Sequence, residues 1–281
     1  MSQQANILFF DSGVGGLSIY QAVKAKLGAA QYIYAFDNAG FPYGELEPKE
    51  LIARTHGIIE RVMQKHAIDL VVIACNTAST VVLPSLRAAL NIPVVGVVPA
   101  IKPAAACSKM KSIGLLATPA TVNRDYTRAL IEEFASDCQV LRLGSTRLVE
   151  IAEEKLMGDA VDCDELAALL APWDQKVDCI VLGCTHFPLL REELKQVLSA
   201  QVAIVDSGDA IAERVAFLLN DDKLQSTSYI EEKQKAMTGI AYCAEMTAKV
   251  ARLQPALQSL GFEHCVSLDF PRCADHSRYA L

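Results

Sequence analysis

The chain has 281 residues, 52% of them hydrophobic and 21% charged, so it can bury a sizeable core. Its net charge of −7 disfavours general nucleic-acid binding, which needs a basic surface. No apolar run approaches the roughly 20 residues that span a bilayer, and no signal peptide is evident. Nine cysteines without a C-x-x-C pair argue against a disulfide framework. We therefore expect a globular cytoplasmic protein that binds neither nucleic acid nor membrane.

The first third of the chain alternates apolar runs with amphipathic ones, which predicts an α/β architecture. Its apolar runs are not interrupted by polar residues, as is typical of parallel strands buried on both faces. In chain order we expect strands at residues 5–10, 32–36 and 70–74 and helices at residues 17–27 and 48–66, with Gly28 ending the first helix and Ile52, His56, Ile59 and Met63 on one stripe of the second.

The same alternation begins again near residue 112, and the two halves share a motif. Asp69-Leu-Val-Val-Ile-Ala-Cys75-Asn-Thr77 in the first half is similar to Asp178-Cys-Ile-Val-Leu-Gly-Cys184-Thr-His186 in the second. The two cysteines are 109 residues apart and the first strands of the halves are 106 apart, so we predict a duplicated half-domain. The expected strands here are residues 112–117, 140–143 and 179–183, and the expected helices open at Thr118 and Ser145 and span residues 161–170.

The remaining segments complete a prediction of two domains. We expect strands at residues 202–205, 240–243 and 265–270, helices at residues 209–219 and 247–260, and a linker at residues 220–227. A proline-rich crossover near Pro99 and Pro103 would separate a first domain, residues 1–98 plus 208–281, from a second domain, residues 99–207. Periodicity alone does not establish that the C-terminal part returns to the first domain.

Cys75 and Cys184 are the strongest candidates for chemistry. Each falls where a predicted parallel strand ends and a helix begins, which is where ligands bind in α/β sheets. A helix N-terminus offers N–H groups and a positive dipole that favour a thiolate, so both thiols are suited to act as bases near neutral pH. The remaining cysteines considered are interpreted as small buried apolar residues: Cys107, Cys138, Cys163, Cys179, Cys243 and Cys265.

The loop Asp11-Ser-Gly-Val-Gly-Gly16 also follows a predicted strand. Ser18 stands where a dinucleotide fingerprint has its third glycine, and no Gly-Lys-Ser/Thr of a P-loop follows, so NAD or ATP binding is disfavoured. An Asp and a Ser beside backbone N–H groups suit a zwitterion, with its ammonium on Asp11. The alternative is that Asp11 or Ser12 only caps the turn.

His186 lies two residues after Cys184 and either polarises that thiol or satisfies a buried hydrogen bond. Glu150 is a candidate partner for orienting His186, although its spacing is more typical of a solvated helix carboxylate. The spacing of the tail residues matches no common zinc site, so no metal is predicted there: His264, Cys265, Cys273 and His276.

Five motifs in this order together resemble glutamate racemase, a family that makes D-glutamate for the bacterial cell wall without a cofactor. The resemblance runs from about Ile7 to Val215. It implies two pseudo-symmetric parallel-sheet α/β domains with the active site in the cleft between them, glutamate as the small-molecule substrate, and a homodimer. The motifs are Asp11-Ser-Gly-Val-Gly-Gly-Leu-Ser18, Phe41-Pro-Tyr-Gly44, Ala74-Cys-Asn-Thr-Ala78, Leu182-Gly-Cys-Thr-His-Phe-Pro-Leu189 and Val205-Asp-Ser-Gly208.

The resemblance also implies site residues. It makes Cys75 and Cys184 the acid/base pair, acting on the D- and the L-enantiomer respectively, and it places His186 and Asp11 with the catalytic groups. Because the motif segments contain no Lys or Arg, we expect neutral donors to bind the side-chain carboxylate of the substrate. The implied substrate-binding residues are Asp11, Ser12, Pro42, Tyr43, Gly44, Asn76, Thr77, Thr118, Thr121, Thr185 and His186.

The chain departs from the family pattern in three places. Residues 36–40 read Phe-Asp-Asn-Ala-Gly where many members have Gly-Asp-Thr-Ala-Arg, Phe187 replaces a frequent Tyr, and residues 220–281 are only weakly family-like. Three rival functions also stay open. They are a racemase of aspartate or another acidic compound, a thiol redox or hydrolytic enzyme that uses one cysteine with His186, and a non-catalytic regulator that binds a carboxylate.

Overall fold

The computed structural model describes residues 4–220 and 239–272. Within these ranges it contains ten strands and eleven α-helices. The strands are β1 (Asn6–Asp11), β2 (Gln31–Phe36), β3 (Leu70–Ile73), β4 (Val94–Gly96), β5 (Ser112–Ala117), β6 (Gln139–Gly144), β7 (Cys179–Leu182), β8 (Ala203–Val205), β9 (Gly239–Cys243) and β10 (Phe262–Ser267). The helices are α1 (Leu17–Leu27), α2 (Pro48–Met63), α3 (Asn76–Ala89), α4 (Ile101–Cys107), α5 (Pro119–Asn123), α6 (Asp125–Phe134), α7 (Arg147–Leu156), α8 (Cys163–Leu170), α9 (Arg191–Val197), α10 (Gly208–Asn220) and α11 (Ala248–Leu260).

The chain divides into two compact units. Unit 1 is formed by Met1–Val97 and Gly208–Leu281, and unit 2 by Val98–Ser207. Within the described ranges, no helix has the length and apolar character needed to cross a membrane.

Each unit is built on one parallel sheet flanked by helices. The strand order is β10-β9-β2-β1-β3-β4 in unit 1 and β6-β5-β7-β8 in unit 2, and every strand pair is parallel. The predicted fold class, two parallel-sheet α/β domains, is confirmed. The order β2-β1-β3-β4 corresponds strand for strand to β6-β5-β7-β8, which is the arrangement that a duplicated half-domain gives.

The core of unit 1 lies between its sheet and helices such as α2. All four residues of β3 are buried, in accord with its uninterrupted apolar sequence. The buried face of α2 is shifted from the predicted stripe, because His56 and Met63 are only half-buried. The residues of α2 that are fully buried include Leu51, Arg54, Thr55, Ile58, Ile59 and Val62.

Element ends follow local capping. Gly28 (φ 68°) ends α1, as predicted, and Gly261 (φ 100°) ends α11 directly after the last predicted helical residue. The predicted last strand is present, but its bounds, residues 265–270, are wrong, since β10 spans Phe262–Ser267. Asp269 adopts φ 51°, and its N–H donates to Ser267 Oγ at 3.1 Å, so a turn replaces the extended backbone. Helix α8 begins at Cys163 rather than at residue 161, because the Asp162 side chain caps it.

The surroundings of the cysteines differ from one another. Cys179 and Cys243 are buried, as predicted, but Cys107 is exposed at the end of α4, so its prediction as a buried residue is wrong. Cys138, Cys163 and Cys265 are half-buried. Cys273 and His276, considered above for zinc, lie outside the described residues.

Candidate functional site

Cys75 caps the N-terminus of α3 in unit 1. It is the second residue after β3, and its backbone is extended (φ −133°, ψ 118°). Its Sγ accepts a hydrogen bond from Ala78 N–H at 3.4 Å and lies 3.7 Å from Ser12 Oγ. Because N–H groups at a helix N-terminus stabilise negative charge, this position favours a thiolate.

Asp11 organises the loop that carries Ser12. Its Oδ1 accepts a hydrogen bond from Ser12 N–H and its Oδ2 accepts one from Gly16 N–H, both at 2.6 Å. A Cβ at Gly16 would lie 2.8 Å from Ala74 Cβ, so the loop packs directly against the residue that precedes Cys75. These contacts give Asp11 the turn-capping role, and its contact with a substrate ammonium stays a prediction.

Asn76 and Thr77 form the first turn of α3, directly after Cys75, and both are buried. The Oδ1 atom of Asn76 is buried and has no hydrogen-bond partner among the residues that the structure describes. Buried polar atoms are nearly always paired, so an unpaired acceptor beside a thiol suits a donor supplied by a ligand.

The loop that carries Pro42, Tyr43 and Gly44 is stabilised by a contact with a buried residue of unit 1. The Phe41–Pro42 peptide bond is cis, and the buried Tyr43 hydroxyl donates to Asp37 Oδ2 at 2.7 Å. Burial and then the Asp37 carboxylate raise the pKa of Tyr43 well above its usual value, so the hydroxyl stays protonated. Tyr43 therefore supports the loop, while Pro42 is half-buried and Gly44 exposed.

Asp37 itself is paired with Arg54, and sequence reasoning missed both residues as part of the site. Arg54 donates from Nε to Asp37 Oδ2 and from Nη2 to Asp37 Oδ1, both at 2.6 Å. Neither side chain is exposed. The available signal was an arginine on an apolar face of α2, because a buried arginine requires a paired carboxylate.

Cys184 has the corresponding position in unit 2, the second residue after β7, and is 8% exposed. The helix expected directly after it is a 3-10 turn, Phe187–Leu190, which leads into α9. The Sγ atom of Cys184 lies 3.7 Å from His186 Nδ1. The two thiols are therefore supported differently, Cys75 by backbone N–H and a hydroxyl, and Cys184 by an imidazole.

The partner of His186 is Glu153 rather than Glu150. His186 Nε2 lies 3.2 Å from Glu153 Oε1, whereas the exposed Glu150 contacts Arg147 at 3.3 Å. The predicted orienting role of Glu150 is thus wrong and its alternative, a solvated helix carboxylate, is right. Burial opposes protonation of His186, but the hydrogen bonds to Cys184 and Glu153 outweigh it and raise the pKa of His186 well above its usual value.

Thr118, Thr121 and Thr185 also lie in unit 2, after the adjacent strands β5 and β7. Thr118 Oγ1 accepts a hydrogen bond from Thr121 N–H at 3.3 Å, and the two hydroxyls are 3.0 Å apart. Thr121 and Thr185 are buried. The predicted threonines of unit 2 therefore lie at the same sheet edge as Cys184 and His186.

In the described part of the chain, no group of three or more His, Cys, Asp or Glu side chains is arranged to hold a metal ion.

The chain is similar in sequence to known proteins. A family model described as Asp/Glu/Hydantoin racemase matches residues 13–215. The glutamate racemase of Aliivibrio fischeri is 55% identical over 267 residues, which cover 95% of this chain and 98% of that relative. The glutamate racemase of Vibrio cholerae is 53% identical, with 91% of this chain and 93% of that protein covered.

Solved structures agree with these relatives. The crystal structure of Escherichia coli glutamate racemase in complex with L-glutamate and the activator UDP-MurNAc-ala has a TM-score of 0.88 and 48% identity, and 95% of this chain and 98% of that chain are covered. Glutamate racemase from Thermus thermophilus in complex with β-chloro-D-alanine has a TM-score of 0.70 and 28% identity, with 95% and 98% covered. The chain therefore belongs to the Asp/Glu/hydantoin racemase family and, within it, to the glutamate racemases.

Proposed function

We propose that the chain interconverts L-glutamate and D-glutamate by moving the α-proton without a cofactor. The observation that carries the proposal is the matched position of two thiols. Cys75 and Cys184 each stand two residues after corresponding strands, β3 and β7, of two sheets with the same core order. A reaction at both faces of one carbon needs two acid/base groups, and two like half-domains supply one each. Relatives that span more than nine-tenths of this chain carry the name glutamate racemase.

The proton transfer balances without any other reactant. One thiolate removes the α-proton and becomes a thiol, and the electron pair of the C–H bond stays on the α-carbon. The other thiol gives its proton to the opposite face of that carbanion and becomes a thiolate. The product is the enantiomer. The cysteine that began as a thiolate is now protonated, and the other cysteine has become the thiolate. On this proposal Cys75 takes the proton of D-glutamate and Cys184 takes that of L-glutamate.

The surroundings of Cys184 suit a thiolate base. With its pKa raised, His186 is protonated at neutral pH, and its Nδ1–H faces the sulfur 3.7 Å away. An imidazolium next to a sulfur favours the charged form of the thiol. Glu153 holds the opposite nitrogen of the ring and so fixes its orientation.

The surroundings of Cys75 also suit a thiolate base, but they do so through neutral donors. Ala78 N–H donates to the sulfur, and the Ser12 hydroxyl lies beside it. The Asp11 carboxylate holds the Ser12 backbone, so the hydroxyl is carried on an ordered loop. Neutral donors of this kind stabilise a thiolate less strongly than a cation does. The two sulfurs therefore have different neighbours, a cation beside Cys184 and neutral donors beside Cys75.

Substrate binding is assigned to groups near the thiols. The unpaired Asn76 Oδ1 suits the ammonium of an amino acid, and the hydroxyls of Thr77 and Thr185 suit its α-carboxylate. Donors on that carboxylate stabilise the charge that develops when the α-proton leaves. Because the motif segments lack Lys and Arg, the side-chain carboxylate is assigned to neutral donors. The D-glutamate formed would supply peptidoglycan synthesis, as the family resemblance implies.

The proposal is tested by following α-proton exchange and racemisation of glutamate in deuterated water. The wild type should racemise both enantiomers and introduce deuterium at the α-carbon. Cys75→Ser and Cys184→Ser should each abolish racemisation. Any remaining exchange should be confined to L-glutamate in Cys75→Ser and to D-glutamate in Cys184→Ser.

The same assay separates the rival functions. Full racemisation by either variant would contradict the two-base mechanism and favour a single-cysteine enzyme. Binding of glutamate without exchange by the wild type would indicate a regulator. Parallel assays with D- and L-aspartate decide the substrate, since a preference for aspartate would contradict the assignment of glutamate.

A further inference from the structure

The segment that follows β10 forms a strap across the end of β9 in unit 1. We define the strap as residues 268–272. Leu268 N–H donates to Cys243 O at 2.8 Å, and Phe270 N–H donates to Ala244 O at 2.8 Å. The strap is therefore hydrogen-bonded at the carboxyl end of the sheet, where the candidate residues of unit 1 also lie.

The strap docks on α2 through the ring of Phe270. The guanidinium carbons of Arg54 and Arg61 lie 5.1 Å and 4.9 Å from the ring centroid. A Cβ at Gly57 would lie 2.8 Å from Phe270 Cζ, so a glycine on α2 makes room for the ring. Stacking on an aromatic face fixes the plane of a guanidinium as well as its position.

The backbone of the strap also binds Arg54 directly. Arg54 donates from Nη2 to Phe270 O at 3.2 Å and from Nη1 to Pro271 O at 3.4 Å. On its other side the same guanidinium holds both oxygens of Asp37. Arg54 therefore links the strap to Asp37. Because its guanidinium is planar and rigid, these hydrogen bonds restrict the positions of both the strap and the Asp37 carboxylate.

Asp37 connects Arg54 to the loop at residues 40–44. Its Oδ2 accepts the Tyr43 hydroxyl at 2.7 Å, and its Oδ1 accepts Gly40 N–H at 3.0 Å. The strap, Arg54, Asp37 and Tyr43 thus form one continuous network, in which Arg54, Asp37 and Tyr43 are buried. Its far end is the loop that the family resemblance makes part of the substrate site.

We propose that Phe270 is a positioning residue for the reaction, which acts through Arg54 and Asp37 to fix Tyr43 and the loop at residues 40–44. The proposal rests on the proposed function for the identity of the substrate, but its contacts lie wholly within unit 1. It gives part of the weakly family-like C-terminal region a role in substrate binding.

The test compares Phe270→Ala with Phe217→Ala. Phe217 is an exposed phenylalanine of the same unit, with the guanidinium of Arg214 5.3 Å from its ring centroid, so it is a matched control outside the network. We expect Phe270→Ala to raise KM for glutamate about tenfold, with a smaller change in kcat, because a misplaced loop weakens binding. Phe217→Ala should keep both constants, and Phe270→Tyr, which retains the ring, should restore them.

A second measurement does not depend on racemase activity. Hydrogen–deuterium exchange of the ligand-free protein should rise at residues 37–46 in Phe270→Ala but not in Phe217→Ala, because the network orders that loop. If Phe270→Ala does not fold, Arg54→Lys replaces it, since lysine keeps the charge but loses the fork. The expected changes in exchange and KM are then the same.

The outcomes separate this proposal from the proposed function. A wild type without glutamate racemase activity would contradict the function, and the exchange data alone would then decide the role of Phe270. Unchanged exchange at residues 37–46 in a folded variant would overturn that role. Raised exchange with an unchanged KM in an active enzyme would overturn it as well, because the ordering would then have no effect on substrate binding.

Discussion

The carboxylate of Glu153 contacts His186 Nε2 at 3.2 Å, on the side of the ring away from Cys184. Carboxylate, imidazole and thiol therefore form a line within unit 2. The negative charge of Glu153 stabilises the imidazolium, whose Nδ1 atom faces the Cys184 sulfur. On the proposed mechanism Glu153 acts on the thiol through the ring, without touching it.

Glu153→Gln is expected to lower kcat/KM for glutamate on the order of 100-fold, because the ring loses both its orientation and a charge that favours its protonation. The matched control is Glu150→Gln, a glutamate three residues earlier on α7 that contacts Arg147 instead. It should keep activity close to that of the wild type. Steady-state racemisation in both directions measures the effect, and equal losses in the two variants would contradict the assignment of Glu153.

The loss in kcat/KM must be equal in the two directions, because enantiomers have equal free energies and their equilibrium constant is fixed. Steady-state rates therefore do not show which cysteine Glu153 acts through. Measuring α-proton exchange in single-cysteine variants does. In Cys75→Ser, adding Glu153→Gln should suppress any exchange of L-glutamate. In Cys184→Ser, the same addition should leave exchange of D-glutamate unchanged. Suppression in both backgrounds would mean that Glu153 does not act through Cys184 alone.

His186 is expected to make stability depend on pH. Burial lowers the pKa of His186 in the folded state, but the hydrogen bonds to Cys184 and Glu153 outweigh burial, so the pKa is raised. A group whose folded pKa is raised stabilises the folded state fully below its unfolded pKa of about 6.5, and this contribution is lost as the pH rises through the folded value. The difference in unfolding free energy between wild type and His186→Gln should therefore be largest below about pH 6.5 and shrink as the pH rises above it. Urea unfolding at several pH values measures it, and a difference that grows with pH would contradict a protonated His186.

The fold was predictable because hydrophobic burial determines most of its elements. The apolar runs at β1, β3, β5 and β7 are too uninterrupted for a half-exposed sheet, so the sequence indicates buried parallel strands. The end of β10 was not predictable in the same way. A left-handed Asp269 and its turn with Ser267 depend on local hydrogen bonds that hydrophobic periodicity does not report.

The candidate site was predictable where a residue follows a strand directly, and it was not predictable where a residue lies on a helix face. Cys75 and Cys184 follow β3 and β7, so sequence position fixes their place at a sheet edge. The choice between Glu150 and Glu153 depends on the rotation of α7 about its axis. Side chains three residues apart point in directions that differ by about 60° around a helix axis. Packing decides which of these directions faces the core. Arg54 was missed for the same reason.

Asp11→Asn tests whether Asp11 caps its loop or binds the substrate ammonium. Its two oxygens accept Ser12 N–H and Gly16 N–H, and asparagine retains only one acceptor oxygen. We expect a loss of about 1–3 kcal/mol in unfolding free energy together with a loss of racemisation, because one buried amide is left unpaired. Asp69→Asn is the control, since Asp69 accepts Asn6 N–H at 2.9 Å. It should affect stability without a comparable effect on turnover. An Asp11→Asn protein with wild-type stability and a raised KM would instead favour ammonium binding.

Gly40→Ala tests the packing that brings Arg54 to Asp37. A Cβ at residue 40 would lie 2.5 Å from Asp37 Oδ2 and 2.6 Å from Arg54 Nε, both closer than real Cβ contacts. The ion pair is buried and cannot move into solvent, so the methyl group must displace it or the loop. We expect a loss of about 1–3 kcal/mol in unfolding free energy, measured by urea unfolding, and a raised KM for glutamate. Glu45→Ala, an exposed position on the same loop, should leave stability unchanged. A Gly40→Ala protein as stable as the wild type would contradict the close approach of Arg54 and Asp37 at this glycine.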